Sequence, residues 1–281
     1  VPAPDRPVWQ KLSYIVSVIG IAWIPLTTRS AEIGSSEAPE ISQSEQISLA
    51  KKATAGDGAA AYQLYSDLTI DRGEDAARTA DPWLLLAVKL HNDEAERLLA
   101  MEIENGNHAY RPFGATQTQA VENLLKESSK TYGLSCDDLA YHYAEGYFGS
   151  KDYVHAREYY LMGAQFKIEF CWYPLAKLCY EGLGGPIDDR SAYYWVSLDA
   201  KCVSPASMSG TEIWALRDKI AARLPLSVLR QEWLKIDDFD TSKVYPTPFL
   251  NGYTKKSDSE SSCREAASKE REHRQQLEDR G

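Results

Sequence analysis

Basic side chains are scarce in the body of this 281-residue sequence, and that shortage removes one large class of functions at the outset. The chain carries 31 Lys and Arg against 41 Asp and Glu, a formal net charge of -10. The ends are not the source of the imbalance, because residues 31–250 hold 21 basic and 33 acidic side chains, a net of -12. Binding a nucleic-acid backbone needs Lys and Arg to displace counterions, so the acidic body argues against nucleic acid and for a protein partner with a basic surface. The sequence also lacks an apolar run of the ~18 to 20 residues that spans a bilayer. Its longest, Leu12 to Leu26, is about fifteen residues and mostly apolar.

Motifs of catalysis and metal binding are equally thin. The five His show no H-E-x-x-H and no Cys-His spacing of a zinc site, so neither a metal nor a cofactor is expected. The glycines of Gly182-Leu183-Gly184-Gly185 lack the Lys and Ser/Thr of a phosphate loop. Ser48-x-x-Lys51 matches a nucleophile pattern of some penicillin-interacting enzymes, but no partner motif follows it, so it remains a remote hydrolase alternative. The cysteines number five, with none before Cys136, which excludes a lipid-modified N-terminal Cys. Cys171 and Cys179 lie about 12 Å of helical rise apart, beyond disulfide reach, so packed thiols are expected.

What the sequence does contain is a repeat. LAYHYAEGYFGSKDYVHAREYYLMGA, from Leu139, returns 36 residues later as LAKLCYEGLGGPIDDRSAYYWVSLDA, from Leu175. Leu139 pairs with Leu175, Gly146 with Gly182, Gly149 with Gly185, Asp152 with Asp188 and Ala156 with Ala192. A period of 20 to 50 residues marks stacked units that cannot bury their apolar faces alone. Ala80, Ala120 and Ala156 each stand 19 residues before Leu99, Leu139 and Leu175, which extends the pattern to about four helix pairs, with ISLAKKATAGD as a leading half. The third loop is four residues longer, around Pro112 and Gly114. Gly146 and Gly182 fall where a first helix must stop and are expected as left-handed caps.

These observations predict an all-α, α/α superhelical solenoid. Residues 1–30 read as a signal peptide or N-terminal anchor, 31–46 as a flexible leader and 47–203 as the solenoid. Residues 204–239 read as capping helices, and 240–281 as a polar tail, disordered in isolation. Residues 47–203 resemble Sel-1-like repeat (SLR) proteins, solenoids related to tetratricopeptide repeats, on the strength of the two quoted segments and of PWLLLAVKLHNDEAERLLAMEIENG. Cys179 replaces the usual aromatic, Asp71 stands where the first unit wants Gly, and Pro174 intrudes in a first helix.

The resemblance implies a non-enzymatic protein-binding scaffold. With an exported N-terminus it further implies a bacterial periplasmic or envelope protein. Among such proteins are immunity proteins that block a cognate toxin, including type VI secretion phospholipase effectors. An envelope adaptor is the alternative, with membrane contact only through the N-terminal segment. Aromatics exceed what the repeat requires: Tyr141, Tyr147, Phe148, Trp172, Tyr173, Tyr193 and Tyr194. Asp137, Asp138, Tyr141, His142, Glu145, Trp172 and Lys177, on two successive first helices, are the candidate partner-binding residues, with Tyr and Trp as anchors and acids to steer a basic partner.

Overall fold

A computed structural model describes residues 42–69, 74–106, 113–201, 203–239 and 260–279, and among these residues the regular elements are all helices. The expected N-terminal targeting segment, Asp71, Pro112, Cys202 and residues 240–259 lie outside the described residues. The chain divides after Ser128 into two units.

In the first unit, helices α1 (Gln43–Thr54), α2 (Gly58–Thr69), α3 (Glu74–Lys89), α4 (Asp93–Glu104) and α5 (Gln117–Ser128) follow one another. They pack as the pairs α2/α3 and α4/α5, with α1 on α2 as a leading half. The small-residue register explains the pairing. Ala80, Ala95 and Ala120 are fully buried and let backbones approach, while Leu64, Leu84 and Leu99 fill the space between them. The leader expected to run to residue 46 ends sooner. Ser42 and Glu45 form a reciprocal capping box that satisfies backbone donors and starts α1 at Gln43.

Glu96, on α4, is an acid that this packing buries. It is 3% exposed, one carboxylate oxygen has no hydrogen-bond partner, and His91 approaches to 3.5 Å. Burial, reinforced by Asp93 and by Glu127 and opposed by His91, pushes its carboxyl up to about 7. An acid whose folded pKa is raised makes folding less favourable as it ionises, so stability falls as pH climbs from about 4.5 through 7. Urea midpoints at pH 5 and pH 8 should show Glu96→Gln removing about 1 to 3 kcal/mol of this loss while changing little at pH 5. An equal pH dependence in both proteins would contradict the assignment.

In the second unit, α6 (Gly133–Glu145) pairs with α7 (Tyr153–Gln165), and α8 (Trp172–Glu181) with α9 (Asp189–Ala200). The 36-residue register has a structural counterpart at each matched position. Gly146 and Gly182 are left-handed caps with φ of 79° and 71°, while Asp152 and Asp188 accept backbone hydrogen bonds as N-caps of α7 and α9. Pro174 costs no ladder bond, because it sits in the first turn of α8 just after a short 3-10 turn at Glu169–Cys171. Cys136 and Cys171 are buried free thiols packed around Gly163, where a methyl group would meet the Cys171 sulfur at 2.4 Å. Cys179 is also a buried free thiol, and Cys263 is partly exposed.

Helices α10 (Met208–Ala221) and α11 (Leu226–Asp238) pack on α9 beyond the last repeat. Within the segment expected to be a polar tail, disordered in isolation, Glu260–Asp279 form α12 in the whole chain. Polar contacts tie this helix to the rest of the unit. Arg274 makes two 2.8 Å bonds to Asp237 of α11, and the Glu265 carboxylate accepts from the Ser204 hydroxyl at 2.7 Å. Among the described residues no helix is long and apolar enough to cross a membrane.

Candidate functional site

On a helix, positions four apart share a face, and a 36-residue repeat copies that face from one first helix to the next. On α6 the face is Asp137, Tyr141 and Glu145; on α8 it is Tyr173, Lys177 and Glu181. The structure leaves this register open to solvent. Tyr141 is 60% exposed, Glu145, Lys177 and Glu181 are exposed, and Asp137 and Tyr173 are half-buried. Glu145 is paired with Lys151 at 3.1 Å across the exposed loop end.

Acids surround both tyrosine-bearing stripes. Burial raises the Tyr173 phenol, and Glu212, Asp199 and Glu181 raise it further, which places carboxylates from α8, α9 and α10 in its field. Behind the α6 stripe, burial raises Tyr160, with Asp137, Cys171 and Glu145 adding to the effect. The Cys171 thiol donates to Asp137 at 3.7 Å, and burial together with nearby Asp137 drives that thiol strongly upward. The buried thiols are therefore neutral at physiological pH and serve packing.

Two candidates from the sequence belong to the interior instead. His142 is 7% exposed, bonds to the Asp138 carbonyl through Nδ1, stacks on Phe148 at 5.3 Å and meets Tyr147 edge-on at 4.6 Å. It lies one residue, about 100°, around the helix from Tyr141, which turns it towards the rings of Tyr147 and Phe148 in the loop that follows α6. Trp172 is 3% exposed and packs edge-on against Phe239 at 5.7 Å. Its counterpart 36 residues earlier is Cys136, also buried, so the repeat places this position in the core. Asp138 is half-buried beside the stripe. Of the other surplus aromatics, Tyr193 is fully buried, Tyr147 partly exposed, and Phe148 and Tyr194 half-buried.

Tyr173 stood among the surplus aromatics but not among the candidate residues, and sequence reasoning passed over Glu181, Asp199 and Glu212. Tyr173 and Glu181 were legible, since they stand 36 residues after Asp137 and Glu145; Asp199 and Glu212 join the site only through packing of α9 and α10. In the first unit the equivalent register is Arg97 and Met101 of α4 with its C-cap Asn105, and Met101 is exposed. That register of α4 carries no acid, although elsewhere in the first unit Glu94 lies in the field of Tyr62, and Glu102 and Asp81 in that of Tyr65. Among the described residues no His, Cys, Asp and Glu cluster could hold a metal ion, and Ser48 and Lys51 stand exposed on α1.

Paired helices, small residues buried in register and left-handed glycine caps define an all-α solenoid with the Sel1-like repeat fold. Among solved structures, the chain is similar to a Sel1 repeat protein from Oxalobacter formigenes, with 20% identity and a TM-score of 0.50 over 59% of this chain and 47% of that one. It is also similar to a protective antigen of uropathogenic Escherichia coli strains that displays an SLR fold, with 16% identity and a TM-score of 0.42 over 67% of this chain and 46% of that one. The chain spans about half the length of these solved structures, and the likeness is one of fold. No family profile and no curated protein matches the chain.

Proposed function

We propose that the chain is a non-enzymatic scaffold that binds a basic segment of a protein partner across the first helices of its second unit. The observation carrying this reading is the shared register of Asp137, Tyr141 and Glu145 with Tyr173, Lys177 and Glu181, which keeps tyrosines and acids together on the surface. Tyrosine supplies contact area at low entropic cost, and acids around it steer and orient a cationic partner. The fold supports such a role, because stacked helix pairs offer extended binding surfaces.

The finer reading is an exported immunity protein of the bacterial envelope that neutralises a cognate toxin, for example a type VI secretion phospholipase effector. The experiment is coexpression with each protein encoded beside it, followed by titration calorimetry. The expected result is protection from one neighbouring toxin. Tyr141→Ala and Glu181→Lys should each weaken the complex at least tenfold, about 1.4 kcal/mol, and leave thermal stability unchanged. Affinity should also fall as salt rises. Wild-type affinity in both variants, or no toxin neutralised, would sink the respective level of the proposal.

A further inference from the structure

Arg217 is the least expected side chain of the second unit, a guanidinium with 0% exposure. Its Nε donates to Ser197 at 3.1 Å and its Nη2 to the Tyr193 hydroxyl at 3.2 Å, while Trp214 lies under the charge at 4.9 Å. The carboxylate paired with it is Glu270 of α12, and its Nη1 has no hydrogen-bond partner. A buried charge is tolerated only when paired, so this arginine calls for an acid delivered from outside the cap helices.

Helix α12 delivers that acid together with a row of matched charges. Lys269 sits 4.9 Å above the Trp214 ring, Arg274 clasps Asp237, and Glu278 meets Arg230 at 3.3 Å. Hydrogen bonds to Asp237 and Glu270 raise Arg274 even against the opposing effect of burial. The apolar part of the contact is poor by comparison. Among its described residues only Ala266 is a buried apolar side chain. Between the buried Ala266 on one side and Trp214, Ala200 and Ile236 on the other remains a half-open cleft of about 250 Å³, whose rim is charged, with Lys201, Asp237, Glu270, Arg271 and Arg274. Close-packed interfaces leave few voids of that size, and contacts forfeited across one weaken the docking.

We infer that the surface formed by α9, α10 and α11 under α12 is a helix-binding groove of which α12 is a loosely fitted internal occupant. Its better occupant is a partner helix that keeps a carboxylate for Arg217 and a cation for Asp237 four residues later, and carries a leucine-sized side chain where α12 has the buried Ala266. Such a helix keeps the ion pairs and fills the cleft, so it displaces α12. The groove is a different surface from the tyrosine stripe of α6 and α8, and the two stand or fall separately.

The test uses the full chain and a fluorescein-labelled peptide of residues 260–279 bearing Ala266→Leu. The peptide is expected to bind at least tenfold more tightly than the unaltered sequence, and hydrogen exchange of the α12 amides in the chain should rise at least tenfold at saturation. Adding Glu270→Lys to the peptide should abolish binding. A second arm introduces Glu270→Lys into the full chain to weaken α12 docking without touching the groove. This variant should bind the unaltered peptide at least tenfold more tightly than the wild-type chain does, and Tyr141→Ala should leave all these values unchanged. Protected α12 amides at saturating peptide, with no peptide bound by the Glu270→Lys chain, would overturn the inference. So would a concentration-dependent dimer formed through α12, which would assign the groove to a second copy.

Discussion

Leu139→Ala is expected to lower the melting temperature of the second unit by roughly 5 to 15 °C, the equivalent of about 2 to 5 kcal/mol. Leu139 has no exposed surface and lies on α6 among Ala140, Ala156 and Cys136, all equally buried. The lost side chain would be replaced by a cavity, since the neighbouring alanines have no rotamers with which to close it. The effect should exceed one residue's transfer energy in its consequences, because each repeat is stabilised chiefly by its neighbours and a weak pair uncouples those on either side. Thermal unfolding followed by circular dichroism measures it, and Leu175→Ala, 1% exposed at the matched place on α8, should behave alike. A shift below about 2 °C in both would mean that the repeat register does not define the core.

Gly184→Ala should be comparably damaging for a different reason, one of backbone contact. Gly184 lies in the turn between α8 and α9 with φ of +72°, a region that side chains disfavour. Its missing Cβ leaves room for the start of α7. A methyl group there would stand 1.9 Å from the Tyr153 carbonyl oxygen and 2.5 Å from the carbonyl carbon. No rotamer change relieves a clash with backbone, so the turn must lift from α7. The combined strain and lost packing are expected to reach about 3 kcal/mol, with the α8/α9 pair loosened first. Hydrogen exchange would read this as faster exchange in residues 172–200 than in α6. Gly56→Ala provides the comparison, since its φ is +105° but a Cβ there meets nothing within 4 Å, and its effect should be limited to the backbone penalty.

Much of the fold is legible because its cause is periodic. Ala80, Ala120, Ala156 and Ala192 are all fully buried, and a residue spacing that recurs in sequence becomes a packing layer that recurs in space. The candidate site was legible to the extent that it follows the same period. Asp137, Tyr141, Glu145 and Lys177 are on the α6 and α8 stripe, and applying the 36-residue step to each of them yields Tyr173 and Glu181 as well. His142 and Trp172 entered as positions that vary between two successive first helices, although their repeat mates Leu178 and Cys136 are buried and mark both places as interior.

The sequence by itself determined the repeat unit, its helix pairing, its glycine caps and the excess of acid over base. Each of these rests on local spacing or composition. Only the tertiary structure decided that Glu96 is buried without a full set of partners, that Arg217 lies in the cap with its carboxylate on α12, and that a polar C-terminal segment is a docked helix. These are meetings between residues tens of positions apart in non-repeating segments. Their energies come from desolvation and charge pairing, which depend on what surrounds a side chain and not on where it stands in the chain.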